Sequence, residues 1–177
     1  MRHLTLITTG GTIEKTYDEL SGTLDNRRSI VRRMLRRLRL EDTTVAAIEL
    51  MSKDSLHMTD DDRRRIAEVV AAAIGTRQSP GPTSAVVILH GTDTLAETGE
   101  VLCKLLQNPR VPVVLTGAMR PFEMVRSDAL QNLTEAAFAA GVLPPGIYSV
   151  AHGRALAFPG VIKDRDRGTF IKPNSPT

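Results

Sequence analysis

Short apolar segments alternate along the chain with segments of helical periodicity. Five apolar segments have the length of buried β-strands, and they span residues 4–7, 45–50, 85–89, 111–116 and 146–151. Four segments with helical spacing lie between them, at residues 30–38, 59–74, 94–106 and 127–140. This alternation predicts a parallel sheet with helices on both faces, a three-layer α/β fold of the Rossmann or flavodoxin-like type.

Polar and glycine-rich segments follow four of the predicted strands directly. Ligands in open parallel sheets bind beyond the carboxyl ends of the strands, where such segments meet. The sequence therefore predicts one site built from these four segments, which are residues 8–13, 51–55, 90–94 and 116–121.

Composition limits the class of protein. The chain has 177 residues, 41% of them hydrophobic, which is enough for one compact domain. The formal net charge of +3 is mild, and much of the positive charge lies in residues 27–39, so we expect no nucleic-acid partner. A single cysteine, no early apolar region and no stretch near ~20 apolar residues favour a cytoplasmic protein without a membrane segment.

The first candidate motif is TTGGTI at residues 8–13. Two glycines allow a sharp turn and a close approach to a ligand, and Thr12 would then stand beside backbone N–H groups. A hydroxyl next to such donors suits acyl transfer, because it offers an attacking oxygen and a site for the oxyanion. A simple strand-to-loop turn is the alternative interpretation of GGT alone.

The second candidate motif is HGTDTLAET at residues 90–98. Asp93 could bind an ammonium group, and Thr92 could hold or attack an electrophile. The alternative is an ordinary helix N-terminus, where Thr and Asp are favoured caps.

Two further candidates are weaker alone. In TGAMRP, residues 116–121, Gly and Pro shape a loop whose carbonyls could face a ligand, although Arg120 fits an ordinary structural ion pair. Lys163 fits a solvated surface charge unless it is buried beside Thr92 and Asp93, where loss of solvent would allow it to act as a base.

Taken together and in this order, TTGGTI, HGTDTLAET and TGAMRP resemble the bacterial-type L-asparaginases. The resemblance covers essentially the whole chain and implies the fold of that family's N-terminal domain. It also implies hydrolysis of L-asparagine to L-aspartate and ammonia through a threonine nucleophile and a covalent acyl-enzyme, with no cofactor and no metal.

The resemblance assigns catalytic roles residue by residue. Thr12 matches the family's first nucleophilic threonine, and Thr92, Asp93 and Lys163 match its Thr–Lys–Asp triad. Tyr17 is the best match to the tyrosine of a mobile active-site loop, which we place at residues 13–26.

The resemblance also assigns substrate contacts. Ser55 resembles the serine that holds the substrate α-carboxylate, and Ala118 matches the residue whose carbonyl meets the substrate amide. The implied substrate-binding set is Gly11, Asp54, Ser55, Gly91, Thr92, Asp93 and Ala118.

The chain departs from the family pattern in two respects. It looks like a short, single-domain form (residues 1–177, with a loose tail at 172–177) without the second domain that lends an acidic residue to a neighbouring protomer. Leu56 stands where many relatives carry a substrate-contacting Gln. We expect a homo-oligomer. Two alternatives remain, namely an amidase for another substrate (glutamine, or the ammonia-supplying part of an amidotransferase) and a non-enzymatic basic binding domain.

Overall fold

The computed structural model describes residues 1–76 and 78–173. The predicted loose tail therefore lies mostly outside the described residues. The strands are β1 (Arg2–Gly10), β2 (Thr16–Asp18), β3 (Thr23–Asp25), β4 (Thr43–Lys53), β5 (Ala85–Leu89), β6 (Pro112–Thr116), β7 (Gly146–Ala151), β8 (Arg154–Ala157), β9 (Ile162–Asp164) and β10 (Thr169–Ile171). The α-helices are α1 (Val31–Leu35), α2 (Asp60–Ile74), α3 (Leu95–Leu105) and α4 (Ala129–Val142).

The central sheet has the strand order β4-β1-β5-β6-β7-β8, and its first five strands are parallel. This confirms the predicted parallel α/β fold, with the strand order of the flavodoxin-like type. The chain leaves β1 toward β4 on one side and returns to β5 on the other. The carboxyl ends of β1 and β5 therefore flank the switch point at which such sheets bind ligands.

Helices cover both faces of the sheet because the side chains of each strand alternate between faces. Val86 and Ile88 of β5 pack on one side with Val70 of α2 and Leu102 of α3. Val87 packs on the other side, in the core cluster that includes residues of α1 and α4. Strand β5 is apolar without interruption because both of its faces are buried.

Helix α2 has the predicted bounds, and helix α1 does not. The Thr59 hydroxyl accepts from the Asp62 N–H in a capping box, and Gly75 ends the helix with a φ of 66°. The segment predicted helical from residue 30 to 38 forms only Val31–Leu35. It has no capping side chain at Ile30, and after Leu35 the chain continues in i→i+3 turns, in which the Arg37 N–H donates to Met34 and the Leu38 N–H to Leu35.

Three chain segments lie outside the predicted elements. Strand β8 is an antiparallel edge strand, which the chain reaches by turning at His152 and Gly153, both with positive φ. The hairpin β2–β3 lies inside the predicted mobile loop, and the hairpin β9–β10 carries Lys163. These strands are only three or four residues long, so periodicity gives little signal for them.

Candidate active site

The four predicted loops come together at the switch point, and glycines allow the contact. A Cβ on Gly11 would lie 2.3 Å from the backbone nitrogen of Gly91. A Cβ on Gly91 would in turn lie 2.4 Å from the Ser55 hydroxyl oxygen. Gly117 lies against the His90 carbonyl in the same way. The loops after β1, β4, β5 and β6 are therefore in direct contact, as expected where the carboxyl ends of parallel strands meet.

A hydroxyl, a carboxylate and an amine meet beside these loops. Lys163 Nζ lies 2.9 Å from Thr92 Oγ1 and 2.9 Å from Asp93 Oδ1. Thr92 is 3% exposed, and the Lys163 side chain is 14% exposed. The Lys163 ammonium is the main cause that lowers the pKa of Asp93, although partial burial opposes it, so Asp93 is an anion at neutral pH.

The hairpin β9–β10 places Lys163 in this cluster. Lys163 pairs with Phe170 across the hairpin, and the Phe170 side chain is buried in the core. Val161, just before β9, is also buried, so two apolar anchors hold the strand that carries the amine.

Ser55 presents a hydroxyl without a partner to the same place. The residue is 1% exposed, and its Oγ has no hydrogen-bond partner within the described part of the chain. The Thr94 hydroxyl donates to the Ser55 carbonyl at 2.9 Å, which fixes the serine next to the 90–94 loop. A buried unsatisfied hydroxyl is unfavourable, and a ligand polar group would relieve that cost.

The Asp54 carboxylate faces the predicted mobile loop. It accepts from Lys15 Nζ at 2.7 Å and from the Leu56 N–H at 3.1 Å. The Lys15 hydrogen bond is the main cause that lowers the pKa of Asp54. Lys15, Asp25, Asn26 and Asp54 are among the residues that line an open cavity of about 540 Å³. The role of Asp54 in substrate binding stays a prediction.

Thr12 opens a short 3-10 turn, Thr12–Glu14, directly after Gly11. The Asn26 side-chain amide donates to the Gly11 carbonyl at 2.8 Å, and the buried Glu14 carboxylate accepts from the Gly10 N–H and the Ser29 hydroxyl. These bonds join the two ends of the predicted mobile loop.

The exposed part of that loop is the β2–β3 hairpin. Ile13 and Glu14, at the start of the predicted segment, are buried, whereas Tyr17 on β2 is 61% exposed. The Tyr17 backbone N–H donates to Glu123 at 3.2 Å. Motion of this segment and a catalytic role for Tyr17 stay predictions.

Ala118 is fully buried, and its loop is held by an acidic side chain that the sequence did not reveal. Asp128 accepts from the Met119 N–H at 2.9 Å and from the Arg120 N–H at 3.0 Å. Its Oδ2 also lies 2.9 Å from His152 Nε2, and His152 Nδ1 lies 2.9 Å from the Thr169 hydroxyl on β10. Asp128 and His152 therefore link the Ala118 loop to the hairpin that carries Lys163.

His90 fixes the loop that carries Thr92. It is fully buried, its Nδ1 lies 2.8 Å from the Gly91 carbonyl, and its Nε2 lies 2.8 Å from the Thr98 hydroxyl. A carbonyl only accepts, so Nδ1 carries the hydrogen and Nε2 accepts from Thr98. Burial lowers the pKa of His90 to about 4, and the ring is therefore neutral at physiological pH.

Two features are absent from residues 1–76 and 78–173. These residues contain no group of three or more His, Cys, Asp or Glu side chains suited to a metal ion. They also contain no helix that is long and apolar enough to span a bilayer.

The fold and the cluster define a doubly wound α/β protein with a hydroxyl–carboxylate–amine site at its switch point. Residues 3–171 match the family model "Asparaginase, N-terminal". The chain belongs to the asparaginase family.

Relatives agree with this assignment. The chain is 32% identical over 145 residues to the L-asparaginase of Thermococcus kodakarensis, covering 82% of this chain and 42% of that protein. The solved structure of that thermostable enzyme superimposes with a TM-score of 0.87 at 30% identity, over 98% of this chain and 52% of the other. L-asparaginase 1 of Escherichia coli K12 is 34% identical over 141 residues, which cover 77% of this chain and 39% of that protein.

The chain is also similar to a protein that is not named as an L-asparaginase. It is a component of the glutamyl-tRNA(Gln) amidotransferase of Thermoplasma acidophilum, 34% identical over 98 residues, covering 55% of this chain and 22% of that one. The chain spans about two fifths of the length of the two L-asparaginases.

Besides Asp128, three further side chains of the site escaped sequence analysis. Lys15 pairs with Asp54, Arg165 lies 3.0 Å from Asp93, and Glu14 is buried behind the Thr12 turn. Of these, only Glu14 offered a local signal, because it is an acid directly after the TTGGTI motif. Contacts of Lys15 and Arg165 depend on hairpins whose register the sequence does not reveal.

Proposed function

We propose that this chain hydrolyses the side-chain amide of L-asparagine to L-aspartate and ammonia. The observation that carries the proposal is the position of Lys163 Nζ, 2.9 Å from both Thr92 Oγ1 and Asp93 Oδ1, at the loops that flank the switch point. Such a cluster of partly buried groups in a ligand-binding position is a typical arrangement for activating a hydroxyl or a water.

In the first half-reaction Thr12 is the nucleophile. Its hydroxyl oxygen bonds to the amide carbon, and its proton passes through Tyr17, on the closing hairpin, to the departing nitrogen. The developing oxyanion is stabilised by the backbone N–H of Thr12, because the Gly11 N–H already donates to the Lys53 carbonyl at 2.8 Å. The C–N bond breaks, ammonia leaves, and an aspartyl ester remains on Thr12.

In the second half-reaction water cleaves this ester. The water oxygen bonds to the ester carbon, and its proton passes through the Thr92 hydroxyl to the Asp93–Lys163 pair. The C–O bond to Thr12 then breaks, and the pair returns a proton to the Thr12 oxygen, which restores the hydroxyl. General-base assistance of this kind contributes about 10²–10⁴-fold.

Binding groups hold the substrate for this attack. The Asp93 carboxylate binds the α-ammonium, and the unpartnered Ser55 hydroxyl donates to the α-carboxylate. Gly91 and Asp54 supply further substrate contacts, and the Ala118 carbonyl accepts from the substrate amide. Fixing both ends of the substrate lowers the entropic part of the barrier.

A glutamine-directed activity is the second candidate, because part of the chain resembles a component of a glutamyl-tRNA(Gln) amidotransferase. Leu56 favours weak discrimination between asparagine and glutamine, since its exposed apolar side chain offers no hydrogen bond to the substrate. We also propose that the chain assembles as a homo-oligomer, which light scattering tests.

The test is ammonia release from asparagine and from glutamine by the purified chain. We expect turnover of asparagine, and a loss of at least about 10³-fold in kcat for Thr12→Ala. Thr134→Ala on the exposed face of α4 is the matched control and should keep full activity. Normal turnover in Thr12→Ala rejects the scheme, and exclusive use of glutamine supports the second candidate.

A further inference from the structure

Arg165 contacts the same carboxylate oxygen as Lys163. It lies just after β9, two residues beyond Lys163, and its Nη1 is 3.0 Å from Asp93 Oδ1. Its side chain is 68% exposed, whereas the Lys163 side chain is 14% exposed, so Arg165 is the more solvent-accessible of the two cations on this oxygen.

Most of the hydrogen-bonding capacity of Arg165 is unused. A guanidinium has five N–H donors, and the bond to Asp93 is the one side-chain bond that Arg165 makes among residues 1–76 and 78–173. The remaining donors form a planar fork that matches a carboxylate. An anionic group that reaches Asp93 from solvent therefore meets free donors of fixed geometry.

We propose that Asp93 and Arg165 together bind the zwitterionic end of an α-amino acid substrate. The proposal rests on the proposed function and assigns Arg165 as a specificity-determining residue. An α-amino acid carries its ammonium and its carboxylate on one carbon, so a neighbouring acid and base in the protein are complementary to it. Asp93 binds the ammonium, and Arg165 binds the α-carboxylate.

Ser55 completes the contact with that carboxylate. Its buried hydroxyl lacks a partner within the described residues, and it adjoins the 90–94 loop through Gly91 and Thr94. Leu56 beside it offers no side-chain donor. A hydroxyl alone leaves a carboxylate poorly neutralised, and a guanidinium supplies the missing positive charge.

The geometry argues against the opposite role, in which Arg165 would compete with the substrate ammonium for Asp93. Lys163 and Arg165 both approach Oδ1. Oδ2 of Asp93 accepts no hydrogen bond from any residue that the structure describes. The ammonium can therefore bind Oδ2 while Arg165 stays in place.

The test compares Arg165→Gln with wild type on two substrates. One is asparagine, and the other is aspartic acid diamide, in which an uncharged carboxamide replaces the α-carboxylate. We expect a KM for asparagine about tenfold higher in the variant, with kcat within about twofold, because the lost contact is a partly exposed charge-assisted hydrogen bond. The KM for the diamide should be unchanged.

Arg167→Gln is the matched control, because Arg167 lies exposed on the same turn. It should behave as wild type on both substrates, with equal melting temperatures for all three proteins. An unchanged or lower KM for asparagine in Arg165→Gln overturns the proposal, and so does an equal rise for both substrates.

Calorimetric binding separates this proposal from the proposed function. If wild type binds asparagine but releases no ammonia, the proposed function fails. The ratio of the dissociation constants of wild type and Arg165→Gln for asparagine then still tests whether Arg165 binds the α-carboxylate. A ratio near one, or no saturable binding of asparagine, overturns the proposal.

Discussion

Burial of the neutral His90 ring makes the stability of the fold depend on pH in the acid range. Unfolded histidine has a pKa near 6.5, and burial lowers the pKa of His90 to about 4 in the native protein. Between these values the unfolded chain binds a proton that the native chain does not. Stability from this residue is therefore complete above pH 6.5 and is lost as the pH falls toward 4.

The size of the effect follows from the two pKa values. Each pKa unit corresponds to about 1.4 kcal/mol, so a shift from 6.5 to about 4 amounts to about 3 kcal/mol of unfolding free energy. The structural cause is specific: a proton on Nε2 would remove the acceptor for Thr98 and leave a charge with no solvent.

The comparison uses His90→Asn, whose side-chain amide can still donate to the Gly91 carbonyl. The variant starts from a lower stability because a cavity replaces part of the ring. Urea unfolding at pH 7 and at pH 4, followed by circular dichroism because the chain has no tryptophan, gives the free energies. We expect wild type to lose about 3 kcal/mol more than the variant between the two pH values.

Every other titrating group, including the three remaining histidines, contributes to both proteins and cancels in the difference. Parallel stability curves for wild type and His90→Asn would show that the ring is not held neutral by burial, and the reasoning would be refuted.

Three further outcomes follow from the site. Lys163→Met should lower kcat on asparagine by about 10²–10⁴-fold, while Lys104→Met on the exposed end of α3 leaves steady-state kinetics unchanged. Lys15→Met should change the unfolding free energy by no more than about 1 kcal/mol, because the Lys15–Asp54 ion pair is partly exposed, but it should speed hydrogen exchange in the β2–β3 hairpin. Unchanged exchange would show that this ion pair does not hold the hairpin in place. Asp128→Asn should cost about 1–3 kcal/mol in chemical unfolding, since its carboxylate accepts two backbone N–H groups; a neutral result would contradict its role in holding the Ala118 loop.

The bounds of several elements could be predicted from the residues of each element and its neighbours in the sequence. Strand β5 was predicted with its observed bounds because an uninterrupted apolar run can lie only where both faces are buried. Helix α2 was predicted with its ends because Thr59 and Gly75 supply cap chemistry that depends on neighbouring residues alone. Strand β7 was also predicted with its observed bounds.

Elements that depend on distant contacts were not predictable in the same way. Strand β8 exists because the chain reverses at His152 and pairs with β7, and its exposed residues carry no periodic signal. The pairing of Lys163 with Phe170 decides which way the lysine points, and register in a three-residue hairpin is not readable from sequence.

In the candidate site, too, local features were predictable and contacts between distant segments were not. The four loops were located from the strand pattern, because carboxyl ends of parallel strands meet at one edge. The contacts of Lys15 with Asp54 and of Arg165 with Asp93 join segments far apart in the chain, and no local pattern marks them.

In the proposed mechanism Thr12 is the residue that is acylated, and Lys163 belongs to the group that releases it. Acid-quenched mass spectrometry of the Lys163→Met variant during incubation with asparagine tests this most directly, because slow deacylation should let the ester accumulate. We expect one added aspartyl group on the peptide that contains Thr12. An adduct on Thr92 instead, or continued ammonia release with no adduct on any peptide, would contradict the account.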